Sequence, residues 1–121
     1  MKKIVIILFF IILLFPKRVI AGATPAGWID SVSIVDNKLK IVGWAVDPDN
    51  QDASIDVHFY VDGAAGSGTS LGTTTANIPR VLPYRGNHHY VWTGEIPERL
   101  KDGNTHKVYA YGIDLTGDTN A

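Results

Sequence analysis

Apolar and polar residues alternate along much of the chain. The alternation is strictest from Ile55 to Val61, where Ile, Val, Phe and Val are separated by Asp, His and Tyr. A period of two places one set of side chains in a core and the other in water, which predicts a β-strand. Two more strands are predicted over residues 31–34 and 39–46. Asp36 and Asn37 would form the turn between them, because these residue types tolerate the left-handed backbone of tight hairpins.

The rest of the pattern also favours short strands. Further elements are predicted as a weaker strand over 71–76, an extended loop or edge over 78–87, strands over 89–93 and 106–113, and one helical turn over 97–100. No window shows helical periodicity over three turns. We therefore predict an all-β fold, an antiparallel sandwich of about six to seven strands.

The N-terminus has the pattern of a secretory signal peptide. Lys2 and Lys3 precede an apolar run of 12 residues, Ile4 to Phe15, and small residues follow at 21–23. A charged head, an apolar middle and a small-residue cleavage site predict a signal-peptide helix over residues 1–21, with cleavage after 21 or after 23. The run is shorter than the roughly 20 residues of a membrane span. An uncleaved membrane anchor stays open, because positive charge follows the run.

Removal of residues 1–21 would leave one domain, residues 22–121. Without Lys2, Lys3, Lys17 and Arg18 the chain has 7 basic and 12 acidic residues, a net charge of 7 minus 12, or −5. This balance argues against nucleic acid and against anionic lipid surfaces as partners. The chain has no cysteine, so an exported domain would depend on its core alone. We predict a secreted, periplasmic or cell-surface protein.

Three short sequence motifs carry a family resemblance. They are Val-Asp-Gly at 61–63 after the alternating strand, Leu-x-Asp-Gly-x-x-His at 100–106, and Tyr-x-x-Asp at 111–114. In this order they resemble immunoglobulin-like or fibronectin-type sandwich modules of bacterial secreted and surface proteins, over most of residues 39–114. The resemblance implies an extracellular accessory domain that often accompanies catalytic domains. It brings no catalytic residues with it.

The end of the last predicted strand departs from such modules. The turn Asp114-Leu115-Thr116-Gly117 normally leads into a closing strand, and here the sequence ends at Ala121. Unless residues 28–35 fill the gap, one sheet would have unpaired backbone groups, and such edges pair with other chains. We therefore expect either a truncated gene product or a domain completed by a strand from a partner chain.

Three carboxylates, Asp47, Asp49 and Asp52, follow the strand that ends at Val46. An EF-hand would need Asp, Gly and Glu at positions 5, 6 and 12, where this chain has Gln51, Asp52 and His58. A looser calcium site remains a hypothesis. The favoured interpretation is a turn, since Pro48 fixes its own φ and Asp side chains bind nearby backbone amides. No other cofactor is predicted.

The histidines give no pattern typical of a metal or catalytic site. Adjacent His88 and His89 would point to opposite faces of a strand, which disfavours a zinc pair with His58. No Gly-x-Ser-x-Gly elbow is present, and three acids on one surface turn lack the cleft that a glycosidase needs. The favoured interpretation is that the four histidines are polar residues at strand ends that bond to loops: His58, His88, His89 and His106. We expect a protein that is not an enzyme, with a small secreted hydrolase as the remote alternative.

The tyrosines are the strongest candidates for binding. Flat rings stack on the C–H faces of sugars, and neighbouring polar groups can bind the hydroxyls. Tyr60 lies on the polar side of its strand by alternation, and Tyr109 and Tyr111 share one side of theirs. The predicted ligand-binding residues are Tyr60, Tyr84, Arg85, Tyr109 and Tyr111. Trp44, Tyr90 and Trp92 are expected in the core. The hypotheses are therefore a module that binds a glycan or a surface protein, or a structural spacer or remnant.

Overall fold

The chain folds as two four-stranded β-sheets. This computed structural model describes residues 5–11, 25–81 and 85–113. The strands are β1 (Val5–Ile11), β2 (Ala26–Val35), β3 (Lys38–Val46), β4 (Asp56–Val61), β5 (Thr69–Thr75), β6 (Ile78–Arg80), β7 (Gly86–Glu95) and β8 (Thr105–Gly112). One sheet has the order β1-β8-β4-β5 and the other β2-β3-β7-β6. Neighbouring strands are antiparallel, except that β1 runs parallel to β8.

The first hairpin shows how local sequence sets strand pairing. Asp36 and Asn37 have φ of 52° and 63°, the left-handed backbone that a two-residue hairpin turn needs at both positions. The turn sets Val35 opposite Lys38, and β2 and β3 then stay paired as far as Ala26 and Val46. The turn predicted here is confirmed.

The two sheets pack face to face around one core. Phe59 of β4 is fully buried, and its ring lies 5.4 Å from the ring of Tyr90 and 5.3 Å from that of Trp92, both on β7. These contacts join strands of opposite sheets, as in a β-sandwich. Tyr90 also donates a hydrogen bond from its hydroxyl to the carbonyl of Trp28, at 3.3 Å. The other buried apolar residues include Ile29, Leu39, Ile41, Ile55, Val57, Val61, Leu100, Val108 and Ala110.

Most of the predicted elements are present. The alternating strand from Ile55 to Val61 is β4, with Val57, Phe59 and Val61 buried. The helical turn appears as a 3₁₀ turn over Glu98–Leu100, and Trp44 is half-buried rather than part of the buried core. Within residues 78–87, β6 is a short edge strand beside β7, while residues 82–84 lie outside the described ranges. The prediction of an all-β sandwich is confirmed.

The N-terminal segment differs from its prediction. Residues 5–11, expected within a signal-peptide helix, form β1 beside β8. A run of β-branched, Leu and Phe residues suits a strand as well as a helix, and pairing with β8 satisfies backbone groups that an open edge would leave unpaired. No helix of the described residues is long and apolar enough to cross a membrane. Residues 12–24, including the expected cleavage positions, and the turn at 114–117 lie outside the described part of the chain.

Candidate functional site

The outer face of the sheet β1-β8-β4-β5 gathers three of the predicted tyrosines. Tyr60 on β4 lies opposite Tyr109 on β8, and His58 lies opposite Tyr111. The rings of Tyr60 and Tyr111 meet edge to face, with centroids 5.6 Å apart and planes at 83°. Because Phe59, Val108 and Ala110 are buried, alternation directs these tyrosines away from the core. We call this set of three residues the tyrosine cluster.

Polar residues of β4, β5 and β8 lie on the same face as the tyrosine cluster. The residues of β5 that pair with β4 on this face are Ser70, opposite Tyr60, and Thr73, opposite His58. Thr75 donates a hydrogen bond from its hydroxyl to Asp56, at 2.8 Å. Lys107 is the exposed residue two positions before Tyr109. The face therefore combines aromatic rings with hydroxyl, carboxylate, imidazole and ammonium groups, all of which can bind sugar hydroxyls.

Tyr111 is less accessible than the sequence predicted. Tyr111 is only 2% exposed, because the loop at residues 62–68 folds over it. The backbone N–H of Ala65, in that loop, donates a hydrogen bond to the Tyr111 hydroxyl at 3.2 Å. The loop is tight: a Cβ at Gly68 would lie 2.1 Å from the carbonyl oxygen of Gly63. Tyr60 and Tyr109 are half-buried, so they provide the accessible part of the cluster.

Arg85, which was also predicted to bind a ligand, is not one of the residues of this face. Arg85 is exposed and directly precedes β7, a strand of the opposite sheet. Tyr84 lies outside the described residues.

The acidic loop after β3 is a turn. Asp47 is fully buried and its Oδ1 accepts the N–H of Asp49 at 3.0 Å, while its carbonyl accepts the N–H of Asn50 at 3.0 Å. Asp49 and Asp52 are exposed. Within residues 5–11, 25–81 and 85–113, no group of three or more His, Cys, Asp or Glu side chains is arranged to hold a metal ion. The calcium site at Asp47, Asp49 and Asp52 stays a hypothesis.

Two buried residues keep polar atoms without a partner. In the described structure, Oδ2 of Asp47 and both ring nitrogens of His88 make no hydrogen bond. His88 lies where the β6–β7 register shifts between Ile78 and Pro79. Buried polar atoms without a partner cost free energy, so these two side chains are weak points of the core.

A histidine held between two aspartates was not predicted. Nδ1 of His106 lies 2.6 Å from Oδ2 of Asp62, and its Nε2 lies 2.9 Å from Oδ1 of Asp102. Asp62 also accepts the N–H of Lys107 at 3.2 Å, and Asp102 accepts that of Asn104 at 2.9 Å. We call Asp62, His106 and Asp102 the histidine clamp. It joins the loop after β4 to the loop before β8.

The clamp favours the charged imidazolium. Burial by itself would lower the pKa of His106, but the hydrogen bonds to Asp102 and Asp62 and the charges of both carboxylates outweigh it, so the pKa is raised. The hydrogen bond from the Asn104 N–H, followed by that from His106, lowers the pKa of Asp102. With both ring nitrogens bound to carboxylates, His106 is a structural group in this arrangement and has no nitrogen free to accept a substrate proton.

The three residues of the histidine clamp belong to the sequence motifs that carry the family resemblance. Asp62 belongs to Val-Asp-Gly, and Asp102 and His106 belong to Leu-x-Asp-Gly-x-x-His. The three residues thus stand in motifs that are visible in the sequence, but Asp62 and His106 are 44 positions apart, and nothing in the sequence indicated that they pair. Comparison with known protein families, with curated proteins and with solved structures found no match to this chain.

Proposed function

We propose that this protein is a non-catalytic, exported β-sandwich module that binds a glycan through Tyr60 and Tyr109. The observation that carries the proposal is the placement of two half-buried tyrosines opposite each other on the outer face of one sheet. The ring contact of Tyr60 with Tyr111 holds one of them in place. A fixed ring loses little conformational entropy when a ligand stacks on it.

The polar groups beside the tyrosine cluster support a sugar rather than an apolar ligand. His58, Ser70 and Thr73 lie on the same face, and Lys107 is exposed next to Tyr109. A flat face with rings and polar groups suits one side of a sugar chain. A protein surface is the alternative ligand, because tyrosine is also enriched at protein interfaces.

The strand order supports an immunoglobulin-like topology. In that fold, strands A, B, E and D form one sheet, and strands C and F with their neighbours form the other. Here β2, β3, β7 and β6 have the order expected of A, B, E and D, and β8-β4-β5 has that of F, C and C′. We propose this topology for the domain, in agreement with the resemblance of its sequence motifs to those of immunoglobulin-like modules.

Export is proposed from the N-terminal sequence alone. Lys2, Lys3 and the apolar run that follows are typical of a signal peptide, and the net charge of the remaining chain suits an extracellular module. Mass spectrometry of the protein secreted by a bacterial host would test it. A mature N-terminus at residue 22 or 24 is expected. Material retained in the membrane with residues 1–21 intact would instead support the anchor.

A glycan array tests binding first. Pull-down then measures retention on insoluble polysaccharides that contain the glycans bound on the array. Tyr60→Ala and Tyr109→Ala should each weaken retention by about fivefold or more, the loss expected for one stacked ring worth about 1 kcal/mol or more. Trp28→Ala is the matched control, because Trp28 is 52% exposed on the opposite sheet. Retention that is unchanged in both tyrosine variants, or lost equally in the control, would contradict the proposal.

A structural spacer is the second candidate. It is favoured by the burial of Tyr111 under the loop at 62–68, which reduces the aromatic area open to a ligand. A spacer would retain no glycan on the array, and alanine substitution of the tyrosines would change stability without changing retention.

A further inference from the structure

The edge of β8 that does not pair with β4 is occupied by the N-terminal apolar segment. β8 pairs with β4 on one side and with β1 on the other. The register with β1 runs without interruption from Leu8 opposite Lys107 to Ile11 opposite Ala110, and Val5 lies opposite Thr105. β1 also contacts β2 of the second sheet. It therefore lies along the side of the sandwich where the two sheets meet.

The composition of β1 suits a strand buried in protein. Residues 5–11 read Val-Ile-Ile-Leu-Phe-Phe-Ile, without a charged or polar side chain. Parallel strands covered on both faces have such continuous apolar runs, whereas a strand with one wet face alternates. β1 also occupies the place beside β8 that strand G takes beside strand F in an immunoglobulin-like sandwich.

We propose that this edge of β8 is an acceptor site for an extended apolar segment of another polypeptide. The segment would lie parallel to β8 along residues 105–110, and residues 5–11 hold the same place before the chain is processed. The inference rests on the proposed export, because signal-peptide cleavage removes β1. It goes beyond glycan binding, because it uses the edge of the sheet rather than its outer face.

Cleavage creates the driving force for binding. Once β1 is removed, backbone N–H and C=O groups on that edge of β8 lose their partners, and a sheet edge of this kind pairs readily with an added strand. Backbone hydrogen bonds would supply affinity. Apolar side chains of the added strand would supply selectivity, because β1, the strand that holds this place, has an entirely apolar sequence.

The test uses the processed chain, residues 22–121, and a soluble peptide of residues 5–11 flanked by two lysines at each end. Amide hydrogen exchange of residues 105–110 is expected to slow by about tenfold or more at saturating peptide. The matched control is the same peptide with Ile7→Pro and Phe9→Pro, which cannot donate the same backbone hydrogen bonds. Exchange in β3, on the other sheet, reports any general stabilisation.

A second variant keeps the test decisive if the processed chain does not fold alone. The full chain with Leu8→Pro and Phe10→Pro should lose protection at residues 105–110, and added peptide should restore it. The proposal would be overturned if the proline peptide protected residues 105–110 as well as the unmodified peptide does. It would also be overturned if the unmodified peptide protected them neither in the processed chain nor in the full-chain proline variant. Full protection of residues 105–110 in the processed chain without peptide would overturn it too, as would a dimer that forms in proportion to protein concentration and excludes the peptide.

Failure of this inference can be told apart from failure of the proposed function. The mature N-terminus reports export, retention on glycans reports the tyrosine cluster, and peptide protection of β8 reports the acceptor edge. Tyr60→Ala leaves the backbone of β8 unchanged and should therefore bind the peptide like the unmodified chain.

Discussion

From the histidine clamp we predict that folding stability falls as the pH rises through the folded-state pKa of His106. An unfolded histidine has a pKa near 6.5, and contacts in the folded protein raise the pKa of His106 above that value. Below about pH 6.5 the ring is protonated in both states and the contribution of the clamp is fully present. As the pH rises through the folded-state pKa, the imidazolium loses its proton and this contribution is lost.

Asp62→Asn isolates the charge of one clamp residue. Asp62 has φ of 58°, and asparagine tolerates this left-handed backbone as well as aspartate does. Its amide oxygen can still accept the N–H of Lys107 that Oδ1 accepts now. The substitution therefore removes the negative charge beside Nδ1 of His106 while the shape and the turn are kept.

The expected loss follows from the geometry and the exposure. A hydrogen bond between charged groups contributes roughly 1.5–3 kcal/mol to stability. The Asp62 side chain is 35% exposed, so solvent screening lowers the expectation to about 1–1.5 kcal/mol at low pH. For a domain of this size that corresponds to a fall in Tm of about 4–10 °C. Above the folded-state pKa of His106 the same substitution should cost less than about 0.5 kcal/mol.

Urea unfolding at about pH 5.5 and about pH 9 measures this difference. The informative quantity is the difference between the destabilisation by Asp62→Asn at the lower pH and its destabilisation at the higher pH. Asp56→Asn is the matched control, because Asp56 is an exposed aspartate that contacts Thr75 and is not part of the clamp. A loss for Asp62→Asn that is equal at both pH values would refute the reasoning. Control and variant responding alike would also refute it.

Three further predictions concern the core and the acidic loop. Phe59→Ala should destabilise the fold by about 3–5 kcal/mol in urea unfolding, because it removes a buried ring that contacts Tyr90 and Trp92 across the two sheets; a loss below about 1 kcal/mol would contradict the observed packing. His88→Leu should leave stability unchanged or raise it by up to about 2 kcal/mol, since the buried ring has no hydrogen-bond partner in the described structure, and a clear loss would mean that the ring has one. Millimolar calcium should leave Tm unchanged, because Asp47 is buried and bound to the backbone; a Tm that rises with calcium and not with magnesium would restore the calcium hypothesis.

Local patterns predicted most of the strands between residues 26 and 112. The alternation from Ile55 to Val61 predicted β4, and Asp36-Asn37 predicted the turn between β2 and β3, because both depend on a residue and its close neighbours. The same reasoning placed Tyr60 and Tyr109 on a polar face, and the structure agrees. It was wrong about the exposure of Tyr111, since no local pattern indicates that the loop at 62–68 folds back over that ring.

By itself, the sequence determined a strand-rich chain with one apolar and one polar side to its main strands, a tight first hairpin and a signal-like N-terminus. Only the tertiary structure decided which strands are neighbours, that residues 5–11 lie along β8, and that Asp62 meets His106. The physical reason is separation along the chain. Periodicity and turn preference depend on adjacent residues, whereas sheet order and charge contacts are settled when distant segments compete to bury apolar surface and pair backbone groups.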